Sequence, residues 1–211
     1  MAHFVRFKPG FDLSAQPVAN LLHHHVAADV ADGLSQRKLL GASLHAILGE
    51  PALLHAAIAG QRSPLGHVEP KAWEDVMAIN VTANWHLIRA MDPILRRSNA
   101  GRAVFMTSSA ATHARAYSGP YSVSKAALNV LARTYAAETS STTPVRVNLF
   151  NPGPTRTRMR AQVMPGEDPM ILPTPDQVAE KILDLCLPSF SETGRLYDYP
   201  DGKFLDFTEP A

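Results

Sequence analysis

Apolar runs of strand length alternate with apolar runs of helix length along this 211-residue chain. Such alternation is typical of βα units that build a parallel sheet covered by helices. It predicts strands at residues 2–7, 24–30, 52–59, 102–107, 145–150 and 193–199. It predicts helices at residues 13–22, 34–48, 71–91, 122–139 and 177–187. The pattern therefore indicates an α/β fold, with one layer of strands between helices.

The chain length fits one domain spanning residues 1–211, and no internal repeat suggests a solenoid or a propeller. Twenty Lys and Arg residues balance nineteen Asp and Glu residues, so net charge does not favour nucleic acid or an anionic membrane as a partner. The apolar stretches are too short to cross a bilayer, and the first residues lack the apolar core of a secretory signal. One cysteine fits a reducing compartment, so we expect a soluble cytoplasmic protein.

Two segments carry further structural predictions. The helix at residues 122–139 is expected to bury apolar side chains at Val123, Ala127, Val130, Leu131 and Ala137. Residues 158–173 are rich in methionine and proline and are predicted to form a long loop that covers a substrate. Residues 174–177 form a capping box that predicts the start of the next helix.

Tyr121 and Lys125 stand four residues apart at the start of a predicted helix, so they share one face. A nearby cation favours the phenolate, and we expect it to lower the pKa of Tyr121 below about 10. A tyrosine tuned in this way can act as a general acid or base near neutral pH.

Other polar residues fall where a ligand would bind in an α/β fold. Ser108 follows the predicted strand at 102–107, and residues 151–157 follow the next strand, so both belong to the carboxyl edge of the sheet. Asn80 lies within a long helix, where a short polar residue is a poor choice for helix stability alone. Taken together, these residues predict a catalytic site.

The same residues make the chain resemble the short-chain dehydrogenase/reductase family. The matching segments are Asp29-Val30, Asn80-Val81, Thr107-Ser-Ser109, Tyr121-Ser-Val-Ser-Lys125, Asn151-Pro-Gly153 with Thr157, and Thr193-Gly194. The resemblance covers residues from about 28 to the C-terminus, and residues 1–50 match weakly. It implies a Rossmann-like, doubly wound, mostly parallel sheet, and a reaction between a small carbonyl or alcohol substrate and NAD or NADP.

The resemblance also implies a role for each residue. Tyr121 would exchange a proton with the substrate oxygen, and Ser108, or alternatively Ser109, would hydrogen-bond that oxygen. Lys125 would hold the nicotinamide ribose and lower the pKa of Tyr121, while Asn80 would hold a water that links Lys125 to solvent. The remaining cofactor contacts would come from Asp29 and Val30 at the adenine and from Pro152, Gly153, Thr155 and Thr157 at the nicotinamide.

The chain departs from this family in two places. Its twelve glycines are scattered, and no glycine-rich turn for a pyrophosphate occurs. The matching segments begin as though one βα unit of roughly thirty residues were missing ahead of Met1, which predicts an N-terminally truncated fold. In addition, Leu54-His-Ala-Ala-Ile58 stands where the family carries Asn-Asn-Ala-Gly beside the cofactor.

Two function classes follow from these observations. The first is an NAD(P)-dependent oxidoreductase, for which the resemblance implies a homodimer or homotetramer built on the helices at 71–91 and 122–139. The alternative is a non-catalytic remnant that acts, if at all, through protein association.

Three further features are interpreted as structural. His23 and His25 would share one face of a strand, but no nearby carboxylate or cysteine completes a metal site, so no metal is expected. Arg156, Arg158 and Arg160 are interpreted as the solvated rim of a loop, with contact between Arg156 and a cofactor phosphate as the alternative. Cys186 lies within an apolar helix and is interpreted as a packing residue.

Overall fold

The structure of the protein is a computed structural model, which describes residues 52–54 and 57–207. The predicted strands at 2–7 and 24–30, and the predicted helices at 13–22 and 34–48, lie outside the described residues.

Five strands form one sheet in this part of the chain, and their order across the sheet follows their order in the sequence. They are β1 (Ala52–Leu54), β2 (Arg102–Met106), β3 (Arg146–Asn151), β4 (Leu196–Asp198) and β5 (Lys203–Leu205). Strands β1 to β4 pair in parallel, and β5 runs antiparallel to β4. The mostly parallel sheet is thus confirmed. Strand β5 was not predicted, because a three-residue run is too short to show alternation.

Five α-helices occur in the described residues. They are α1 (Pro70–Met77), α2 (Ala83–Arg97), α3 (Gly119–Ser140), α4 (Arg158–Val163) and α5 (Pro175–Cys186). A π-helical turn at Ala78–Thr82 joins α1 to α2, so the predicted helix at 71–91 is real but continues to Arg97. Pro93 removes one backbone hydrogen bond there, and the burial of Met91 and Leu95 offsets the loss. Within the described residues, no helix is long and apolar enough to span a bilayer.

Helices cover both faces of the sheet. Val104 and Phe105 are adjacent on β2 and point to opposite faces, so each belongs to a different core. One core includes Met91, Leu95, Phe105, Leu128 and Leu149; the other includes Val104, Phe150, Val178, Ile182 and Leu185. A strand buried on both faces is typical of the centre of a parallel sheet. The architecture is the expected Rossmann-like, doubly wound one.

The buried face of α3 differs from the prediction. Val123 is 42% exposed and Val130 is 60% exposed, and Ala137 is exposed as well. The buried residues of α3 instead include Ser124, Lys125, Leu128, Asn129, Ala132, Tyr135 and Ala136. The prediction was wrong for these three exposed residues, whereas Ala127 and Leu131 are partly buried and Leu131 packs against the core. It assigned burial by apolarity, but the polar heads of Lys125 and Asn129 find partners at the end of β2.

The segment 158–173 is not a plain loop. It begins with α4 and contains a short 3₁₀ turn at Pro169–Ile171. Arg160 pairs with both carboxylate oxygens of Glu167, and Arg156 donates to three backbone carbonyls of residues 169–172. These two arginines therefore hold the segment together, and interpreting them as a solvated rim was wrong. We refer to residues 158–173 as the lid.

Two smaller predictions at α5 are confirmed. The capping box is present: the Gln177 amide donates to the Thr174 hydroxyl, and the Gln177 side chain accepts from the Thr174 amide. Cys186 is 3% exposed, and burial raises the pKa of its thiol to about 12. A thiol held neutral in this way is a packing group and not a nucleophile.

Candidate active site

The carboxyl ends of β2 and β3 and the first turn of α3 meet at one edge of the sheet. The Thr107 amide donates to the Phe150 carbonyl at 2.8 Å, so Ser108 emerges beside the end of β3. The side chain of Lys125 reaches back from α3, and its Nζ donates to the Met106 carbonyl at 2.7 Å. This geometry brings together three of the four predicted catalytic residues, which are Ser108, Tyr121 and Lys125.

Lys125 is almost completely buried, with 2% of its surface exposed. Burial disfavours the charged amine and lowers the pKa of Lys125 from 10.5 to about 7. Its Nζ lies 5.7 Å from the centroid of the Tyr121 ring, over the ring face. Among the described residues, the Met106 carbonyl is the one hydrogen-bond acceptor of this amine, so its other N–H groups are available to a ligand.

Burial raises the pKa of Tyr121 above 10.0, and a hydrogen bond with the Ser108 side chain partly opposes the rise. The expectation that Lys125 lowers this pKa was therefore wrong. Desolvation of the phenolate is the largest effect, and the buried amine of Lys125 is itself only partly charged near neutral pH. Tyr121 is consequently a protonated phenol at neutral pH and can donate its proton.

The adjacent serines have different surroundings. The Ser108 side chain interacts with Tyr121 and also accepts a hydrogen bond from the Ala110 amide at 3.2 Å. Ser109 opens a 3₁₀ turn, and its carbonyl accepts from the Thr112 hydroxyl and the His113 amide. The hydroxyl next to the tyrosine is thus that of Ser108, which favours Ser108 as the catalytic serine.

Asn80 is completely buried within the π-helical turn. Its side-chain oxygen accepts from the Ile58 amide at 3.0 Å, and its Nδ2 donates to the Ile58 carbonyl and to the Ser124 hydroxyl, both at 2.9 Å. Its backbone carbonyl accepts from Nδ2 of Asn84 at 2.7 Å. Because both N–H groups of its side chain are occupied, Asn80 could hold a water only through an oxygen lone pair.

The Pro152-Gly153 turn follows β3. Gly153 has φ +65°, and a Cβ there would lie 2.3 Å from Cγ of Pro200. The Asn151 side chain holds the turn: its oxygen accepts from the Gly153 amide at 3.1 Å, and its Nδ2 donates to Asp198 at 2.6 Å. Only glycine fits here without strain.

The other predicted cofactor residues are placed as follows. The Thr155 hydroxyl donates to the carbonyls of Pro152 and Gly153, and Thr157 caps α4 by accepting from the Arg160 amide at 3.1 Å. Both threonines thus lie beside the turn, with their hydroxyls engaged in local contacts. Asp29 and Val30 lie outside the described residues.

Substituting Gly153 tests the turn. We expect Gly153→Ala to lower the free energy of unfolding more than Gly202→Ala, because Gly202 has φ +64° but a Cβ added there would meet no atom within 4 Å. The shared positive φ should cost about 1–2 kcal/mol in both variants, and the overlap with Pro200 should add about 1–3 kcal/mol in Gly153→Ala alone. Urea unfolding measures both. Equal losses of unfolding free energy in the two variants would show that Pro200 moves away from the added Cβ at no energetic cost.

Sequence reasoning missed several residues that organise the site. Asn84, Ser124 and Asn129 are buried, and the Thr107 hydroxyl donates to the side-chain oxygen of Asn129. A signal was present in the sequence: Asn84 follows Asn80 by four residues, and Asn129 follows Lys125 by four residues. Side chains with that spacing lie on the same helix face as the catalytic candidates.

A separate cavity of about 220 Å³ lies under the lid, with Arg156, Thr157, Arg160, Met164, Glu167 and Leu172 among its lining residues. Neither Tyr121 nor Lys125 lines it. The candidate catalytic residues therefore lie outside this cavity.

Comparison with known proteins agrees with this geometry. Residues 15–168 match the family model for short chain dehydrogenases. The uncharacterized oxidoreductase YciK of Escherichia coli K12 is 38% identical over 72% of this chain, and dehydrogenase/reductase SDR family member 4 of mouse is 32% identical over 63%. The chain spans 60% of YciK and 48% of the mouse protein.

Solved structures give the same result. A short chain dehydrogenase from Shigella flexneri 2a, complexed with NADP, superposes with a TM-score of 0.67 at 36% identity, covering 78% of this chain and 66% of that one. A short chain dehydrogenase from Escherichia coli CFT073, complexed with NADPH, gives a TM-score of 0.67 at 35% identity, with coverages of 81% and 72%. The protein belongs to the short-chain dehydrogenase family, which is a family of oxidoreductases.

Proposed function

We propose that the protein is an NAD(P)-dependent oxidoreductase that interconverts a carbonyl and a secondary alcohol by hydride transfer. The observation that carries this proposal is the buried amine of Lys125, which lies over the Tyr121 ring, together with the Ser108 side chain, which is near enough to lower the pKa of Tyr121. Two hydroxyls that meet at one point can bind one substrate oxygen and transfer a proton to it.

The side chains have distinct tasks in the reduction of a carbonyl. The Ser108 hydroxyl donates a hydrogen bond to the carbonyl oxygen and so stabilises the negative charge that develops there. The Tyr121 phenol gives its proton to the same oxygen and becomes a phenolate. Lys125 in its charged form stabilises that phenolate. The nicotinamide supplies the hydride that reaches the carbonyl carbon when the cofactor is bound.

The residues at the sheet edge fit the nicotinamide half of NAD or NADP. The free N–H groups of Lys125 can donate to ribose hydroxyls, and Pro152, Gly153, Thr155 and Thr157 would line the nicotinamide. Two similar structures, from S. flexneri and E. coli CFT073, are complexed with NADP and NADPH, which supports the same cofactor class here.

A nicotinamide titration tests this proposal. We expect NADH or NADPH to bind the purified 211-residue chain saturably at micromolar concentration, with energy transfer from Trp73 and Trp85 as the signal. Lys125→Met should weaken binding, whereas Lys181→Met should not, because Lys181 pairs with Asp184 on the surface. A folded chain that binds neither nucleotide would overturn the proposal and leave the non-catalytic remnant as the better interpretation.

We propose that the substrate is predominantly apolar. Large apolar side chains stand exposed on segments next to the site: Leu65, Tyr117, Met170 and Ile171 are 64%, 58%, 71% and 73% exposed. Leu65 contacts the start of α3, since a Cβ on Gly119 would lie 2.5 Å from its Cδ1. Arg62 lies three residues before Leu65 and donates to the Val163 carbonyl at 3.0 Å. This hydrogen bond connects the segment that contains Leu65 with the lid.

We propose that a second copy of this chain covers the outer faces of α2 and α3, in a homodimer or homotetramer. Val123, Val130 and Trp85 are 42%, 60% and 43% exposed on these helices. Val123 and Val130 are seven residues apart, so they lie on one face of α3, and an exposed apolar face is typical of an oligomer contact. The family resemblance also implies pairing through these helices.

Light scattering after size-exclusion chromatography tests the oligomer. The Val130→Glu variant should elute as a monomer of 22.9 kDa. The Met170→Glu variant should keep the oligomeric mass of the parent, because Met170 is an exposed apolar residue of the lid and lies on neither helix. A parent chain that already elutes as a monomer would contradict this proposal.

A further inference from the structure

Ser124 connects two of the candidate catalytic residues. Its hydroxyl donates to the Tyr121 carbonyl at 2.8 Å and accepts from Nδ2 of Asn80 at 2.9 Å. Ser124 is completely buried, and so is Asn80. The two contacts join the π-helical turn to the first turn of α3, at the residue that bears the reacting phenol.

The first of these contacts alone would be ordinary, because serines in helices often donate to the carbonyl three residues earlier. Ser140 does so at the other end of α3, where its hydroxyl donates to the Ala137 carbonyl at 3.2 Å and is exposed to solvent. What distinguishes Ser124 is its second partner. Donation to Tyr121 fixes the hydroxyl proton and turns a lone pair towards Asn80.

Asn80 in turn binds the chain that leaves β1. Its side-chain oxygen accepts from the Ile58 amide and its Nδ2 donates to the Ile58 carbonyl. A continuous path of hydrogen bonds, buried between Asn80 and Ser124 and partly buried at both ends, therefore runs from the backbone of Ile58 to the backbone of Tyr121.

We infer that Ser124 is a positioning residue, which sets the place of Tyr121 relative to Asn80 and to the segment after β1. This inference rests on the proposed function, since it assigns Ser124 a part in the same reaction. Loss of the Ser124 hydroxyl would leave one N–H of Asn80 without a partner in a buried site. Asn80 would then shift towards another acceptor, and the first turn of α3 would lose its link to residue 58.

The test compares Ser124→Ala with Ser140→Ala, which removes the same kind of backbone contact without the second partner. Alanine favours helix, so both variants should fold. We expect Ser124→Ala to lower kcat by about 10- to 100-fold with KM for the nicotinamide little changed. Ser140→Ala should match the parent, and Ser124→Cys, which keeps a weak donor and acceptor, should recover part of the lost kcat.

Amide hydrogen exchange of Ile58 gives a measurement that does not depend on activity. The Ile58 amide should exchange about tenfold faster in Ser124→Ala than in the parent, because a freed Asn80 holds it less often. Parental kcat and parental exchange in Ser124→Ala would overturn the inference. If the parent chain itself shows no turnover, the proposed function fails, and the exchange rate alone then decides: faster exchange supports the positioning role, and unchanged exchange overturns it.

Discussion

Tyr121→Phe should abolish carbonyl reduction and alcohol oxidation while the protein stays folded. The phenol is the proton donor in the proposed reaction, and the loss of a positioned general acid lowers kcat by about 10²- to 10⁴-fold. The ring remains in place below Lys125, so packing should change little.

Tyr135→Phe is the matched control for this experiment. Tyr135 lies on the same helix, and its hydroxyl donates to Asp92 at 2.9 Å on the side of α3 that meets α2. Losing that hydroxyl should lower the free energy of unfolding by about 1 kcal/mol and leave kcat unchanged. Steady-state kinetics with either nicotinamide, together with urea unfolding, measures both variants. Parental turnover in Tyr121→Phe would rule out the assigned role.

The second large effect concerns the stability cost of burying Lys125. The pKa of Lys125 is about 7 in the folded protein and 10.5 as the ordinary value, so burying the charged amine lowers the free energy of unfolding. Below pH 7 the amine is charged in both states, and the full cost is present. Between pH 7 and about 10 the folded state releases the proton that the unfolded state still binds, so stability rises with pH by about 1.4 kcal/mol per unit.

Lys125→Met removes this pH dependence. We expect the stability difference between Lys125→Met and the parent to favour the variant most strongly at pH 6 and to shrink by about 3 kcal/mol by pH 9. The absolute difference is smaller than the desolvation cost, because the variant leaves the Met106 carbonyl without its donor. Its change with pH is therefore the quantity to measure.

Urea unfolding at several pH values between 6 and 9 makes that measurement. Lys181→Met is the control, because Lys181 is a surface residue whose pKa is raised and not lowered, with Asp184 as the main cause. Its stability relative to the parent should not follow the same trend. A difference for Lys125→Met that stays constant over this range would show that the buried amine keeps its ordinary pKa.

The position of the candidate site residues in the fold could be predicted from the sequence, but the hydrogen bonds between distant segments could not. Spacing alone placed Tyr121 and Lys125 on one helix face, and strand ends placed Ser108 and Gly153 at one sheet edge, where the structure has them. These are local rules of chain geometry. The contacts of Asn80 with Ile58 and Ser124 span 22 and 44 residues, and no local rule predicts them.

The electrostatic predictions failed for a related reason. The sign of the pKa shift of Tyr121 depends on the balance between a cation and desolvation, and spacing reveals only the cation. The buried face of α3 was mistaken in the same way, since Lys125 and Asn129 are buried through partners on β2 that are distant in sequence. Likewise, Arg156 and Arg160 looked like surface charges until their acceptors within the lid were known.

The sequence by itself determined the α/β class, the order of β2, α3, β3, α5 and β4 along the chain, and the chemical types gathered at the sheet edge. These follow from periodicity and from turn and cap residues, which act over a few positions. The tertiary structure alone decided which polar groups are buried and with what partners. Desolvation and hydrogen bonding between distant segments depend on packing, and packing set the protonation of Tyr121 and Lys125 and gave Ser124 its place between Asn80 and Tyr121.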